Sequence, residues 1–408
     1  MRENYRLSAY CREMNKAVTD ANVQLAMGRA VTAYKNSITN VFTQQPQTKE
    51  LAREVRSIKE KSILQMEELY LKAKQNIEAN QGHVYLARSR EDVQKKISAI
   101  VGRDKVVVKT KSILGEEVGI REHLLQTGNE VWESDLGELI FQLQAPKTKQ
   151  LAPAMDITRE QVAGLFTEFF GQKIPPDISE QTEVVRNFLR DKFFQADVGI
   201  SSANAVSADT GALIIVECEG NVRLATGVPP VHIAVVGLEK LVDKFSDALK
   251  IAEVTWRYAG FVMPSYVNII SSPSKTADIE KVLVHGVHGP KELHVIFVDN
   301  GRTAMAEQEE FREALYCLRC DACTLECPVF RVTGSRFGRR YLGGIGAVWT
   351  AFVDGGLEAA LPIFYTCLRC GRCVERCPLA INVPQMIIRL RNKAVAAAKM
   401  PEETRGKN

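Results

Sequence analysis

Residues 317–328 read Cys317-Leu-Arg-Cys320-Asp-Ala-Cys323-Thr-Leu-Glu-Cys327-Pro328, and residues 367–378 read Cys367-Leu-Arg-Cys370-Gly-Arg-Cys373-Val-Glu-Arg-Cys377-Pro378. Both are C-x₂-C-x₂-C-x₃-C-P runs, the spacing by which cysteine thiolates hold 4Fe–4S clusters. Three thiolates on one tight loop reach three irons, and the proline after the fourth cysteine keeps the chain from crowding the cluster. The two runs therefore predict two 4Fe–4S clusters and a protein that transfers electrons.

The ligand sets are predicted to cross between the two runs, because in two-cluster ferredoxins the fourth cysteine of a run ligates the other cluster. Cluster 1 is therefore assigned to Cys317, Cys320, Cys323 and Cys377. Cluster 2 is assigned to Cys367, Cys370, Cys373 and Cys327.

Zinc is the alternative metal, since four thiolates also suit it. Zinc sites usually pair two short knuckles across a spacer, however, and do not repeat a four-cysteine run that ends in Cys-Pro. Disulfides fit less well still, because eight of the ten cysteines lie in two short runs of a 408-residue chain that has no signal-peptide pattern. The two other cysteines, Cys11 and Cys218, have no partner at ligand spacing and are predicted to be ordinary thiols.

The composition narrows the class of protein. A chain of 408 residues with 45% hydrophobic residues can form two or three domains with substantial cores. The formal net charge is only +4, with the basic residues spread along the chain, which argues against nucleic-acid binding. No run approaches the roughly 18 apolar residues of a membrane span. We expect a cytoplasmic protein that is membrane-associated only through partners.

The hydrophobic pattern divides the chain into four predicted parts. Residues 1–80 are helical, and Pro46 breaks one of their helices. Residues 81–302 form an α/β domain, because short apolar runs alternate with helical segments as in parallel βαβ units. Residues 303–395 contain both cysteine runs, and the long spacer between the runs, with an apolar helix over 347–365, favours a helical ferredoxin domain. Residues 396–408 form a basic tail.

Ligands of open α/β sheets bind at the carboxyl ends of the strands. Polar residues that follow predicted strands are therefore candidates for a crevice there: Asp209, Thr210, Gly211, Glu219, Glu239 and Lys240. Gly220-Asn221 is predicted to be a hairpin turn. Two polar loops, Lys111-Ser112 and Ser274-Lys275-Thr276, suit a carboxylate or phosphate, although turn and cap roles explain them equally well.

Histidines and arginines give weaker signals. His232 lies within an apolar strand, where a hydrogen-bonded core histidine is a better explanation than a catalytic base. His285 and His288 have helical metal-binding spacing, but the surrounding glycines and proline favour a loop. One basic stretch is either a positive face for an acidic electron partner or a solvated surface. It contains Arg331, Arg336, Arg339 and Arg340.

Taken together, these stretches resemble the LutB family (also called LldF), iron–sulfur subunits of the bacterial lactate utilisation complex. The resemblance covers about residues 50 to 395. Besides the cysteine runs, the matching motifs include Lys111-Ser-Ile-Leu-Gly-Glu-Glu-Val-Gly-Ile-Arg-Glu-His123, Asp135-Leu-Gly-Glu138, Ala196-Asp-Val-Gly-Ile200, Pro273-Ser-Lys-Thr-Ala-Asp-Ile-Glu280 and Gly286-Val-His-Gly-Pro-Lys-Glu-Leu-His294.

The resemblance implies a LUD domain, similar in fold to the NagB/RpiA/CoA-transferase superfamily, joined to a helical two-cluster ferredoxin domain. It also implies partners: a cysteine-rich subunit similar to those of heterodisulfide reductases, and a second LUD subunit. Family members typically extend further beyond the second cluster, so the shorter chain here suggests a different set of partners.

Lactate oxidation needs a base and a two-electron acceptor, usually flavin or nicotinamide. The sequence has no G-x-G-x-x-G fingerprint, and a 4Fe–4S cluster passes single electrons. We therefore expect an electron-transfer subunit of a complex that oxidises L-lactate or another 2-hydroxyacid, not catalytic alone and served by a partner such as a flavoprotein. Three alternatives remain: a link between a flavoprotein and the cysteine-rich subunit with another substrate, a LUD enzyme with Glu219 as nucleophile, and a non-catalytic redox scaffold.

Overall fold

The N-terminal part of the chain is helical, as its sequence predicts. The computed structural model describes residues 7–144 and 157–397. Its first four helices are α1 Leu7–Thr19, α2 Ala21–Gln44, α3 Thr48–Leu64 and α4 Met66–Ala79. The Asp20 side chain accepts hydrogen bonds from the N–H groups of Asn22 and Val23 and so caps α2. Pro46 lies in the break between α2 and α3.

The second part alternates strands and helices. Its first half consists of β1 His83–Ala87, α5 Arg90–Val101, β2 Val106–Lys109, α6 Ile113–Glu117, α7 Ile120–Gln126, β3 Glu130–Glu133, α8 Leu136–Gln144, α9 Arg159–Phe170 and α10 Ile178–Gln195. Its second half consists of β4 Val198–Ser201, β5 Ala205–Ser207, β6 Leu213–Glu217, α11 Asn221–Gly227, β7 Val231–Gly237, β8 Leu241–Val242, α12 Phe245–Tyr258, β9 Tyr266–Ile270, β10 Lys275–Thr276, β11 Val284–His285 and β12 Glu292–Val298.

A six-stranded parallel sheet forms the centre of this α/β part. The strand order is β1-β12-β7-β4-β2-β3, and every neighbouring pair runs parallel. Its strands are nearly continuous apolar runs because helices cover both faces. A smaller sheet in the order β8-β5-β6-β9 and a two-strand ladder of β10 with β11 complete the part. The predicted parallel α/β fold is thus confirmed.

Because all six strands run the same way, their carboxyl ends meet at one edge of the sheet, which we call the carboxyl edge. Polar or charged residues end five of the strands there or follow them within two residues: Lys109, Glu133, Ser201, Glu239 and Asp299. The cysteine-containing part of the chain packs against this edge, so the edge is largely buried.

The third part is helical and carries both cysteine runs. Its helices are α13 Arg302–Glu307, α14 Glu309–Arg312, α15 Ala322–Glu326, α16 Pro328–Thr333, α17 Gly343–Val353, α18 Gly356–Thr366, α19 Arg372–Arg376 and α20 Val383–Ala396. Helices α1 and α2 lie against α16, and α3 lies against α12. One continuous hydrophobic core joins the three parts, with Met27, Val206 and Trp349 among its members.

Two local predictions were wrong. The predicted hairpin at Gly220-Asn221 is the start of α11: Gly220 does have a positive φ of 83°, but both carboxylate oxygens of Glu217 accept the first helical N–H groups, from Val222 (2.7 Å) and Arg223 (3.1 Å). The predicted helix over 347–365 is two helices, because Gly355 and Gly356 both adopt positive φ. Of the predicted basic tail, residues 398–408 lie outside the described residues.

Among the residues that the structure describes, no helix has the length and apolar character needed to cross a membrane.

Candidate functional site

The eight cysteines of the two runs line two neighbouring cavities. Cavity 1 is lined by Cys317, Cys320, Cys323, Cys373 and Cys377. Cavity 2 is lined by Cys323, Cys327, Cys367, Cys370 and Cys373. The fourth cysteine of each run, Cys327 or Cys377, thus lines the cavity that holds the first three cysteines of the other run, as the predicted crossed ligand sets require.

The surroundings of these thiols fit a cationic metal group. Burial, and then the neighbouring thiols, raise the pKa of Cys323 well above its ordinary value and that of Cys373 to about 12. Burial also raises the pKa of Cys377 to about 11, although the N–H groups of Leu379, Ala380 and Ile381 donate to its sulfur. Four thiolates packed so closely away from water need compensating positive charge, which a metal cluster supplies.

Both cysteine loops have the same unusual backbone. Arg319 and Arg369 occupy the same position in the two Cys-Leu-Arg-Cys stretches and have positive φ values of 64° and 54°. Asp321 (φ 56°) and Gly371 (φ 81°) likewise correspond. Residues other than glycine rarely adopt this region, so its use at three such positions shows that the loops must curl tightly around the cavities.

Cavity 1 lies directly against the carboxyl edge of the sheet. Ile113, at the start of α6, and Tyr341 both line the cavity. The Tyr341 hydroxyl donates a hydrogen bond to the Glu117 carboxylate at the end of α6. The Arg319 guanidinium, on the loop between Cys317 and Cys320, lies 3.8 Å from the ring centre of Trp349 and 4.4 Å from that of Tyr341. The first cysteine loop and the end of the parallel sheet are therefore one packed unit.

A buried ion network around Glu117, here called the interface network, joins the two. Arg302 donates two parallel hydrogen bonds to Glu117 (2.9 and 3.0 Å) and a third, from Nε, to Glu239 (2.6 Å). Burial alone would raise the pKa of Glu239, but Arg302 and the cations around it hold that pKa at about 2. The buried ammonium of Lys59, on α3, donates to the backbone carbonyl of Glu239. All three parts of the chain thus meet in this network.

A second buried network, here called the edge network, lies around Lys109 at the end of β2. The Lys109 ammonium donates to Glu116 (2.9 Å) and to both carboxylate oxygens of Glu133 (3.0 Å each). One carboxylate oxygen from each of Glu116, Glu133 and Glu138 lies within 4.8 Å of the others, as in a metal site. The ammonium of Lys109, however, takes the place of a metal cation, so these three carboxylates are a lysine site.

Charge in the edge network is unevenly compensated. Burial raises the pKa of Glu133 to about 7, against the attraction of Lys109, and the neighbouring carboxylates Glu116 and Glu138 raise it further. Burial also raises the pKa of Glu138. The fully buried Lys109 ammonium is the close cation of this network, whereas Arg121 Nε and Lys111 Nζ lie farther away, 3.9 Å from Glu133 and 4.0 Å from Glu138. One carboxyl group of the three therefore holds a proton more readily than an isolated carboxyl does.

Some of the candidate residues come together where the edge network reaches solvent. The Lys111 ammonium, 43% exposed, lies 3.9 Å from Asp135 and 4.0 Å from Glu138. Ser112 caps α6 by accepting a hydrogen bond from the N–H of Gly115. Burial, and then the charge of Asp135, raise the pKa of Glu219, whose carboxylate accepts a hydrogen bond from the N–H of Leu136. Glu239 and Lys240 lie instead at the interface network, where the sheet edge meets the first cysteine loop.

Other candidates lie elsewhere, so the predicted crevice is not formed by all of them together. Asp209 and Thr210 are in the tight turn between β5 and β6 of the smaller sheet, where both bond the Ser207 hydroxyl. Ser274 and Thr276 belong to the loop and ladder at the amino end of β12.

His232 and most of the predicted arginines have local side-chain partners. His232 is buried in β7, its Nε2 lies 2.7 Å from the Ser201 hydroxyl, and burial lowers its pKa to about 3. His285 pairs with Lys275 in the β10–β11 ladder and His288 lies in the following loop. Most of the basic stretch is used internally, which does not fit a free positive face: Arg331 pairs with Glu326, and Arg339 and Arg340 pair with Asp354.

Most members of the two networks were not predicted from the sequence as site residues: Lys59, Lys109, Glu116, Glu117, Glu133, Glu138 and Arg302. A usable signal exists for two of them. Lys109 and Glu133 are charged residues that end otherwise apolar parallel strands, and such residues necessarily lie at the carboxyl edge of the sheet.

Comparisons with known proteins place the chain among sequence relatives. Residues 70–298 match the LUD domain family, and residues 313–381 match a 4Fe-4S dicluster domain. Lactate utilization protein B of Bacillus thuringiensis (strain Al Hakam) is 34% identical over 352 residues, which cover 85% of this chain and 72% of that protein. Lactate utilization protein B 2 of Bacillus mycoides (strain KBAB4) is 35% identical over 343 residues, which cover 83% of this chain and 70% of that protein. A solved DUF162 family protein from Deinococcus radiodurans aligns with 57% of this chain and 98% of its own, at 16% identity and a TM-score of 0.32.

Proposed function

The chain belongs to the LUD-domain family of lactate utilization protein B, and from that premise we propose that it is the electron-transfer subunit of a multi-subunit complex that oxidises L-lactate. The name of its relatives supports a role in lactate utilisation, and the dicluster domain with its eight cysteines fits two 4Fe–4S clusters. Along the chain, we propose a LUD domain over residues 81–302 and a ferredoxin domain over 303–395, preceded by the helical segment.

The observation that carries the proposal is the contact between the carboxyl edge and cavity 1. Ligands of open α/β sheets bind at this edge, and Tyr341 and Ile113 connect it to the thiols of the first loop. A small carboxylate bound beside Lys111 would therefore lie next to cluster 1. In the proposed ligand sets each run gives three cysteines to one cluster and its fourth cysteine to the other. The two clusters must therefore lie close together.

We propose the crossed ligand sets: Cys317, Cys320, Cys323 and Cys377 for cluster 1, and Cys367, Cys370, Cys373 and Cys327 for cluster 2. When bound, such clusters supply one-electron transfer. The chain contributes tight loops that present the thiols, backbone N–H donors to sulfur, and a desolvated surrounding, each of which tunes a cluster's reduction potential.

Partners follow from the electron count. Lactate oxidation delivers two electrons with a hydride equivalent, whereas each cluster accepts one, so we propose a flavoprotein partner that splits the pair. The proposed complex also contains a cysteine-rich, heterodisulfide-reductase-like subunit and a second LUD subunit, as the resemblance implies.

Replacement of Cys327 by serine tests the ligand assignment. The anaerobically purified wild-type protein should contain about eight irons and eight acid-labile sulfides. The C327S protein should lose the EPR signal of cluster 2, although Cys327 belongs to the first run, because its thiol lines cavity 2. Replacement of exposed Cys218, which lies in neither run, serves as the control and should leave both signals. Loss of the cluster 1 signal alone would contradict crossed ligation, and stoichiometric zinc would contradict the proposed function.

A further inference from the structure

The two cysteine loops start with the same four residues but differ in what covers them. Leu318, in the stretch Cys317-Leu-Arg-Cys320, is only 4% exposed. Leu368, at the same position of Cys367-Leu-Arg-Cys370, is 64% exposed. Because the sequence and the backbone conformation of the two stretches correspond, this difference arises from the surroundings and not from the loops themselves.

The chain itself covers the first loop. The rings of Trp349 and Tyr341 stack on the Arg319 guanidinium, and Leu318 is buried in the hydrophobic core. A covered Cys-Leu-Arg-Cys loop in this protein thus has aromatic rings against its arginine and an apolar surface against its leucine.

The second loop has no such cover within residues 7–144 and 157–397. Leu368, Arg369, Cys370 and the nearby Arg372 are all exposed, and we call these four residues the cluster 2 rim. In that part of the chain, neither arginine side chain has a hydrogen bond, an ion pair or a ring partner. A predicted cluster ligand, Cys370, lies between them at the surface.

The charged groups around the rim are mostly cationic. Arg391 lies near Arg369, but its guanidinium donates to the backbone carbonyls of Phe364, Tyr365 and Cys367. Arg376 is paired with Glu326 at 2.9 Å. Glu375 is the exposed carboxylate on α19. The rim therefore presents an apolar side chain between two unpaired guanidinium groups, beside a metal ligand.

We propose that the cluster 2 rim is the docking surface for an acidic redox protein, which places carboxylates and an aromatic ring against Arg369 and Arg372 and apolar surface against Leu368. The inference rests on the proposed electron-transfer function and specifies the surface that such a function requires. The first loop shows which groups complement this tetrapeptide. Arginines at interfaces favour carboxylates and aromatic faces, and charge complementarity accelerates association.

The test uses the complete protein with its clusters and an acidic plant-type 2Fe–2S ferredoxin as the probe. Wild-type protein should bind the probe with an affinity that falls as salt is added, since exposed charges are screened over about 10 Å at 0.1 M ionic strength and about 3 Å at 1 M. The variant Arg369→Glu with Arg372→Glu should bind at least about tenfold more weakly at low salt, and the difference should vanish near 1 M salt.

Controls separate docking from folding and from general charge. Arg186→Glu with Arg190→Glu makes the same change of charge on the exposed face of α10 and should leave binding within about twofold. Arg372→Glu alone leaves the strained backbone at Arg369 untouched and should show an intermediate loss. The visible and EPR spectra of each variant verify that its clusters are intact.

Equal binding by the wild-type and rim variants, or no binding by wild-type protein, would overturn the inference; the second result would mean that something else covers the rim. The proposed function has a separate readout. If the bound ferredoxin exchanged no electrons with the dithionite-reduced protein, the electron-transfer function would fail while the docking surface stood. If electrons were exchanged at the same rate in the wild-type protein and the rim variants, the electron-transfer function would stand and the docking surface would fail.

Discussion

Glu116 and Glu117 are neighbours on the short helix α6, yet they belong to two different buried networks. Consecutive residues of a helix do not face the same way. Glu117 points towards the cysteine-containing part and joins the interface network, with Arg302, Asn300 and Tyr341. Glu116 points along the carboxyl edge and joins the edge network, with Lys109. The same kind of residue therefore has two roles at adjacent positions.

The difference between the networks is how completely their charges are compensated. In the interface network Arg302 is held by two carboxylates through three close hydrogen bonds, and it is entirely buried. In the edge network three carboxylates share Lys109, and the pKa of Glu133 is raised to about 7. In the interface network the pKa of the Glu239 carboxyl is held at about 2, although burial lowers the pKa of Lys59 there to about 7. In the edge network it is a carboxyl group that can take up or release a proton near neutral pH.

Replacing Arg302 by methionine should give the largest effect, because it leaves Glu117 and Glu239 as buried carboxylates without their cation. We expect a loss of about 3–5 kcal/mol in the free energy of unfolding, measured by anaerobic urea denaturation. The matched replacement of exposed Arg186 by methionine should cost no more than about 0.5 kcal/mol. Similar losses of unfolding free energy for the two variants would show that the interface network does not hold the parts of the chain together.

Replacing Lys109 by methionine should destabilise the protein by a smaller amount that depends on pH. At pH 8 we expect a loss of about 3 kcal/mol, because Glu116 and Glu133 then repel each other without an ammonium between them. Near pH 5 the loss should shrink, since the carboxyl groups can take protons instead. A loss independent of pH would show that the two networks respond alike and would end the distinction drawn between them.

Replacing Glu133 by glutamine should have the smallest effect and should sharpen the comparison. The folded protein keeps a proton on Glu133 up to about pH 7, whereas an unfolded chain releases it near 4.5. Stability therefore falls as pH rises from about 4.5 to about 7 and is level above that range. The glutamine variant should lack this slope. If the stability of both proteins changed with pH in the same way, the group that titrates would not be Glu133.

The cysteine runs and the parallel sheet could be predicted because their signals are local. Ligand spacing on one loop fixes which thiols meet, and a long apolar run such as Val231–Gly237 indicates a strand buried on both faces. The turn at Gly220 shows the limit of local signals. A positive φ there suits either a hairpin or the start of a helix, and the Glu217 carboxylate, which caps the first N–H groups of α11, decides between them.

The candidate site was only partly predictable because it depends on how distant strands are ordered. Lys111 and Ser112 follow β2 of the parallel sheet, whereas Asp209 and Glu219 both follow strands of the smaller sheet, and of these two Glu219 lies near Asp135 at the edge network. No local pattern tells which sheet a strand joins. The pairing of Glu117 with Arg302 likewise requires the sheet edge and the cysteine-containing part to be packed together first, so each residue alone looks like an ordinary charged residue on a helix.

The most direct test of the account is whether this chain alone oxidises lactate. The purified protein, free of flavin and kept anaerobic, is mixed with L-lactate while the visible absorbance of its clusters is followed. We predict no bleaching by lactate, prompt bleaching by dithionite, and lactate-dependent bleaching once the partner subunits are added. Lactate that bleached the isolated chain at a catalytically useful rate would contradict the account and would move the oxidation chemistry to the carboxyl edge of the LUD domain.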